Sequence, residues 1–117
     1  MSENIIKEKS FNFALRIIRL YTYLTKKKKE YTLSKQLLRS GTSIGANIEE
    51  ATGGQTKKDF IAKMAIAYKE AKETDYWLRL FLGSGLLTQK EFDSIIIDLS
   101  EVLKLLTTIQ KTARKNM

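Results

Sequence analysis

The stretch Thr88-Gln89-Lys90-Glu91-Phe92-Asp93-Ser94-Ile95-Ile96-Ile97-Asp98-Leu99-Ser100-Glu101-Val102-Leu103-Lys104-Leu105-Leu106-Thr107-Thr108-Ile109 decides the fold class. It opens with a T-x-x-E capping box, in which Thr88 and Glu91 satisfy each other's free backbone donors. Phe92, Ile95, Ile96, Leu99, Val102, Leu103, Leu106 and Ile109 then recur three and four residues apart, which is one apolar stripe on a helix rather than the two-residue alternation of a strand. A helix over 88–114 is predicted. Gly83 and Gly85 precede it and close a third helix over 56–82. The stripe of that helix is Phe60, Met64, Ala67, Ala71, Leu78 and Phe81 or Leu82, with Thr74 a polar member and Tyr76 and Trp77 off it. Thr56 and Asp59 have capping-box spacing, with Asp in place of the usual Glu.

Upstream, Gly53 and Gly54 end a second helix over 32–51, where a left-handed C-cap is expected. Leu33, Leu37, Ile44 and Ile48 face inward. The middle of this helix is nearly free of side chains, with Ser40, Gly41, Ser43, Gly45 and Ala46 costing up to ~1 kcal/mol per glycine in helix propensity. Such a run marks close approach of another backbone or a functional surface. Gln36, Arg39 or Ser40, Ser43, Asn47 and Glu50 form a polar stripe beside it. Lys26 to Glu30 reads as a connection, and a first helix over 10–27 has Ser10 as its cap. Phe13, Ile17, Leu20 and Leu24 make its core stripe. Phe11, Ala14, Ile18 and Tyr21 make a second one, which fits either a broad core contact or an oligomer interface.

Four helices with short connections make antiparallel neighbours, so the expected fold is all-α, a single up-down-up-down four-helix bundle over residues 1–117. Composition agrees: 117 residues contain no proline and 6 glycines. There is no cysteine and no histidine, which removes disulfides, thiolate sites, the commonest metal ligand and the commonest general base near neutral pH. The N-terminal stretch lacks the basic start and apolar run of a secretory signal. No uncharged stretch approaches the roughly 20 residues that cross a bilayer. The expected location is the cytoplasm, with no membrane contact.

The formal net charge is +8. Lys26, Lys27, Lys28 and Lys29 form one basic block, and Lys104, Lys111, Arg114 and Lys115 follow Glu101 without an intervening acid. Lys26 to Lys29 with Lys111, Arg114 and Lys115 are the candidate contacts to RNA or DNA phosphates. The plainer alternative is that lysines at helix ends confer solubility and favour the carbonyl end of the helix dipole.

No catalytic constellation emerges. Gly53-Gly54-Gln55-Thr56-Lys57-Lys58 precedes a helix but lacks P-loop spacing. Glu49, Glu50, Glu70, Glu73 and Asp75 lack the histidines of a dimetal bundle site, and no metal or other cofactor is expected. Ser43 has no base within reach and no elbow motif. Glu50, Glu70 and Glu73 are expected to pair with Arg39, Lys69 or Arg79. Tyr21, Tyr23, Tyr31, Tyr68, Tyr76 and Trp77 are interleaved with basic residues and could stack bases, although aromatics at helical spacing are more often packing anchors.

The run Gln36 to Ala51 resembles the signature of a four-helix-bundle family encoded in intervening sequences of bacterial 23S ribosomal RNA genes. Arg39, Ser43-Ile44, Asn47-Ile48, Glu50, then Gly53 or Gly54 and Phe60 follow the family's order. The stretch Phe60 to Leu87, with Lys69-Glu70-Ala71-Lys72-Glu73-Thr74-Asp75-Tyr76-Trp77-Leu78, is similar to one branch. Where many members have Asn-Ile-Ala-Glu-Gly, this chain has Asn47-Ile48-Glu49-Glu50-Ala51, which moves the turn glycine to Gly53 and lengthens the helix end. The resemblance runs from about Phe11 to Ile109. It implies a ring-forming bundle, commonly a pentamer, without assigned enzymatic activity. A related branch, the accessory protein of diversity-generating retroelements, is basic and pentameric and binds a reverse transcriptase and nucleic acid.

The resulting expectation is a non-enzymatic homo-oligomer that contacts nucleic-acid phosphates. Arg39, Ser43, Asn47, Glu50, Glu70 and Glu73 are assigned to a structural and subunit-contact network. The alternative is a scaffold that recruits a partner enzyme, such as a reverse transcriptase, without touching nucleic acid.

Overall fold

The computed structural model describes residues 2–54 and 56–116; Met1, Gln55 and Met117 lie outside the described residues. Four helices follow in order: α1 Ser2–Lys26, α2 Leu33–Thr52, α3 Lys57–Gly83 and α4 Gln89–Lys115. Cross-helix contacts fix their directions. Ile17 of α1 meets Gly41 of α2, while Ser10 meets Gly45; Arg39 reaches Glu70 and Glu50 reaches Lys63; Lys9 reaches Glu101 and Arg16 reaches Asp98. Each pairing climbs one helix while descending the other, so each of these neighbours is antiparallel. The helices stand at four corners, with close backbone approach along the sides and none across the diagonals among the described residues. The expected up-down-up-down bundle is the observed one, in a molecule 46 × 21 × 19 Å.

The apolar stripes meet on the axis. Phe13, Ile17, Leu24, Leu37, Ile44, Ile48, Met64, Leu78, Phe81, Leu99 and Leu106 are all essentially sealed from solvent, and removing this apolar area from water drives the fold. Phe81, not Leu82, fills the last core position of α3. Thr74 is buried beside Ser40, to which its hydroxyl donates at 3.0 Å, with the Glu70 carbonyl an alternative acceptor at 2.8 Å.

Two of the expected caps form as read. Thr88 and Glu91 make the full reciprocal box, and the Thr56 hydroxyl accepts from the Asp59 N–H at 3.0 Å. Three local expectations are corrected. First, α1 begins eight residues before Ser10, whose side chain is 1% exposed and donates to the Lys7 carbonyl rather than capping anything. Ile6 extends the stripe Phe13-Ile17 backwards, and Ser10 is the small residue that lets α1 lie close to Gly45. Second, Glu30 is not merely part of a connection. Thr32 makes no side-chain cap bond, and the Glu30 carboxylate instead accepts from the N–H groups of Thr32 (3.2 Å), Leu33 (3.0 Å) and Ser34 (2.7 Å). Third, Gly53 has φ −93°, so α2 ends without a left-handed cap, and its N–H simply continues the ladder to the Glu49 carbonyl. Among the described residues the left-handed glycine is Gly85, φ +83°, in the turn between α3 and α4.

Candidate nucleic-acid interface

Up-down-up-down topology sends the ends of α1 and α4 to opposite poles. The two predicted basic clusters therefore do not form one surface. Lys26, Lys27, Lys28 and Lys29 lie where α1 ends and α2 begins; Lys111, Arg114 and Lys115 lie at the far pole, near the starts of α1 and α3.

At the first pole the chain folds back on α1. The N–H groups of Lys27 and Lys28 bond to the Tyr23 carbonyl at 2.9 and 3.3 Å, and the Glu30 N–H bonds to the Leu24 carbonyl at 3.0 Å. Lys29 takes the left-handed conformation, φ 58°, to make this turn. The four lysines are exposed, and the Lys28 ammonium stands 5.9 Å from the centre of the Tyr23 ring. Two acids lie nearby, and both are occupied by backbone. Burial pushes the Glu30 carboxyl up, but the N–H groups of Leu33, Ser34 and Thr32 outweigh it and hold its pKa below the ordinary 4.5. The Thr88 N–H does the same for Glu91, against burial and helped by the Thr88 hydroxyl, Tyr23 and Lys28. These carboxylates are committed to helix ends, and among the described residues none of the four lysines makes an ion pair.

At the second pole, Lys111, Arg114 and Lys115 are exposed on the last turns of α4. A recess of about 400 Å³ opens beside them, bordered by Lys57 and Phe60 of α3, Glu3 of α1 and Thr112 of α4. Lys57 and Lys58, read in sequence only as a failed phosphate loop, thus belong to this basic pole. Among the described residues, the ion pairs use Lys7, Lys9, Arg16, Arg39, Lys63 and Arg79 along the sides of the bundle. None uses a lysine or arginine of either polar cluster.

The polar stripe of α2 forms only part of the expected network. Arg39 bridges to Glu70 at 3.2 Å and to Glu73, and Glu73 also accepts from the Trp77 indole N–H at 3.0 Å. The Trp77 bond is the main reason the Glu73 carboxyl sits below its usual range; burial opposes it and Arg39 adds to it. Glu73 in turn raises the pKa of Arg39. Trp77 was not expected in this cluster, although its place four residues after Glu73 on a helix is the signal for it. Glu50 stands apart and pairs with Lys63 at 2.7 Å. Ser43 and Asn47 bond backwards to the carbonyls of Arg39 (2.6 Å) and Ser43 (2.8 Å) on their own helix. Arg79 pairs with Asp75 on α3, not with Glu50, Glu70 or Glu73.

On α1, the second apolar stripe is open only in part: Phe11 is 63% and Ile18 46% exposed, while Ala14 and Tyr21 are half-buried; Leu15, outside that stripe, is exposed with them. Among the described residues, no three His, Cys, Asp or Glu side chains converge as metal ligands, and no helix is long and apolar enough to cross a membrane.

A family model described as 23S rRNA-intervening sequence protein matches residues 2–108. A crystal structure from Bacteroides thetaiotaomicron, described as a protein with unknown function from the S23 ribosomal protein family, is 50% identical. It superposes with a TM-score of 0.93 over 95% of this chain and 99% of that one. No curated protein matches the sequence.

Proposed function

Because the chain belongs to the family of 23S rRNA-intervening sequence proteins, we propose that it is a non-enzymatic, homo-oligomeric module whose basic poles hold RNA or DNA phosphates. The observation that carries this reading is the segregation of charge. The ion pairs among the described residues lie along the flanks, while Lys26 to Lys29 and the Lys111, Arg114 and Lys115 group face solvent outside any ion pair. Uncompensated cations release the counterions of a polyanion on contact, without reading its sequence. The exposed Phe11, Leu15 and Ile18 side chains support self-association, since a second copy would remove them from water. The pentamer is the assembly that the family resemblance suggests, and a ring of copies would multiply the basic poles.

Replacing Lys26, Lys27, Lys28 and Lys29 together by glutamine tests the reading. Binding of a labelled RNA hairpin, followed by filter retention, is expected to fall by at least about tenfold while the mass in solution is unchanged. Undiminished binding would remove that pole from the interface. A second reading, recruitment of a partner protein, is favoured by one observation: Ile66, Tyr76 and Leu80 are exposed along α3 beside Trp77. Tyr76→Ala with Leu80→Ala would abolish partner recruitment and leave RNA contact intact under that reading.

A further inference from the structure

The seam between α1 and α4 is the loosest of the four sides. Next to the lysine loop it widens into a cleft of about 450 Å³, within the range of roughly 300–1,000 Å³ typical of sites for small ligands. Its floor is apolar: Leu20 of α1, Leu87 of the α3–α4 turn and Ile95 of α4. Tyr23 lines it too, and the Lys28 ammonium stands 5.9 Å from the centre of that ring. Its rim carries Arg16, Arg19 and Lys90. Glu91 is the acid of the cleft, and its carboxylate is bound to the Thr88 N–H at 2.8 Å. Arg16 is fixed by Asp98 at 2.7 Å and by the Ser94 hydroxyl at 2.9 Å. Arg19 and Lys90 have no ion-pair partner among the described residues.

An apolar floor with an aromatic wall suits a flat ring. A cationic rim suits a negative charge attached to that ring. A nucleotide has both, whereas a duplex keeps its bases stacked and paired and offers only its backbone. We infer that this cleft seats one unpaired base of a single-stranded RNA or DNA, stacked on Tyr23 over Leu20, Leu87 and Ile95. The flanking phosphates lie on Arg19, Lys90 and Lys28. The inference rests on the phosphate-binding reading above and adds a preference for single strands to it. The lysine loop then extends the same track, because Lys28 stands beside the Tyr23 ring.

The test compares a fluorescein-labelled oligouridylate with a labelled blunt-ended RNA duplex of equal charge, which has no unpaired base, by anisotropy. The intact protein is expected to bind the single strand about tenfold more tightly, the discrimination one stacked base supplies. Tyr23→Leu, which keeps an apolar side chain against the core, is expected to erase that preference and leave duplex binding unchanged. A 4-thiouridine oligonucleotide irradiated with the unaltered protein is expected to crosslink to peptides containing Tyr23 or Lys90. Equal affinity for strand and duplex, a preference that survives Tyr23→Leu, or crosslinks confined to the Lys111–Lys115 tail would overturn the cleft while leaving the phosphate reading standing. Failure to bind either nucleic acid at low salt would overturn both.

Discussion

On its α2 side, α1 sinks Ile17 into the notch left by Gly41 and sets Ser10 against Gly45. On its α4 side, the same helix is spanned by long charged side chains, Lys9 to Glu101 at 2.6 Å and Arg16 to Asp98 at 2.7 Å, above open recesses. One seam excludes water by bringing backbones together. The other bridges a gap that solvent enters. The contrast follows from residue size. Glycine and serine let a neighbouring helix approach, and buried contact there is worth far more than exposed ion pairs, whose attraction is offset by side-chain ordering and solvent screening. A closed seam serves stability, and an open, cationic one is free to take a ligand.

The comparison breaks most visibly at Ile17. Ile17→Ala is expected to destabilise the bundle by about 2–5 kcal/mol in urea melts, the usual cost of emptying a sealed core position. Gly41→Ala comes next. An added Cβ would stand 2.7 and 2.8 Å from the two γ-carbons of Ile17, and these branch at Cβ and cannot swing away. A loss of about 1–2 kcal/mol is expected despite alanine's better helix propensity. In the Ile17→Ala background the same change should become neutral or stabilising, so a double-mutant cycle isolates the clash. At Gly45 the nearest atom, the Ser10 carbonyl oxygen, is 3.4 Å from the added carbon. Gly45→Ala should therefore raise stability by about 0.5 kcal/mol. On the open seam, Arg16→Met is expected to cost less than about 1 kcal/mol; a loss as large as that of Ile17→Ala would make the two seams equivalent.

Acid exposes a third kind of contact. Glu30, Glu73 and Glu91 have carboxyls held below the ordinary 4.5 in the folded chain. Their contribution is complete above 4.5 and is lost as pH falls through the lowered folded values. The melting temperature should decline on that acid limb, and Glu30→Gln should flatten it, because the amide neither titrates there nor caps α2 as strongly.

Much of this architecture can be read from spacing alone. Thr88-x-x-Glu91 and the stripe from Phe92 to Ile109 specify α4 without tertiary information, since a capping box and a 3.6-residue period are local properties. Ser10 was misread because a serine before an apolar run looks the same at a helix start as in a tight crossing. The deciding sign was Ile6, which with Ser10, Phe13 and Ile17 completes an i, i+4, i+7, i+11 series. Glu30 was missed because a carboxylate capping the helix that starts beyond it depends on the left-handed turn at Lys29. The lysine block and the basic tail are legible in the sequence, but their placement at opposite poles follows only from the topology. Arg16, Arg19 and Lys90 come together only when α4 is laid against α1, and no spacing along the chain announces that.

The most direct measurement is the anisotropy of a labelled RNA hairpin with the purified protein across a salt series, on material whose solution mass is fixed by light scattering. If the uncompensated lysines meet phosphates, the logarithm of the affinity falls linearly with the logarithm of salt concentration. The slope should be about −3 or steeper, near 0.9 for each phosphate neutralised, and shallower in the variant that replaces Lys26 to Lys29 with glutamine. Absence of binding at low salt, or binding indifferent to salt, would contradict the account.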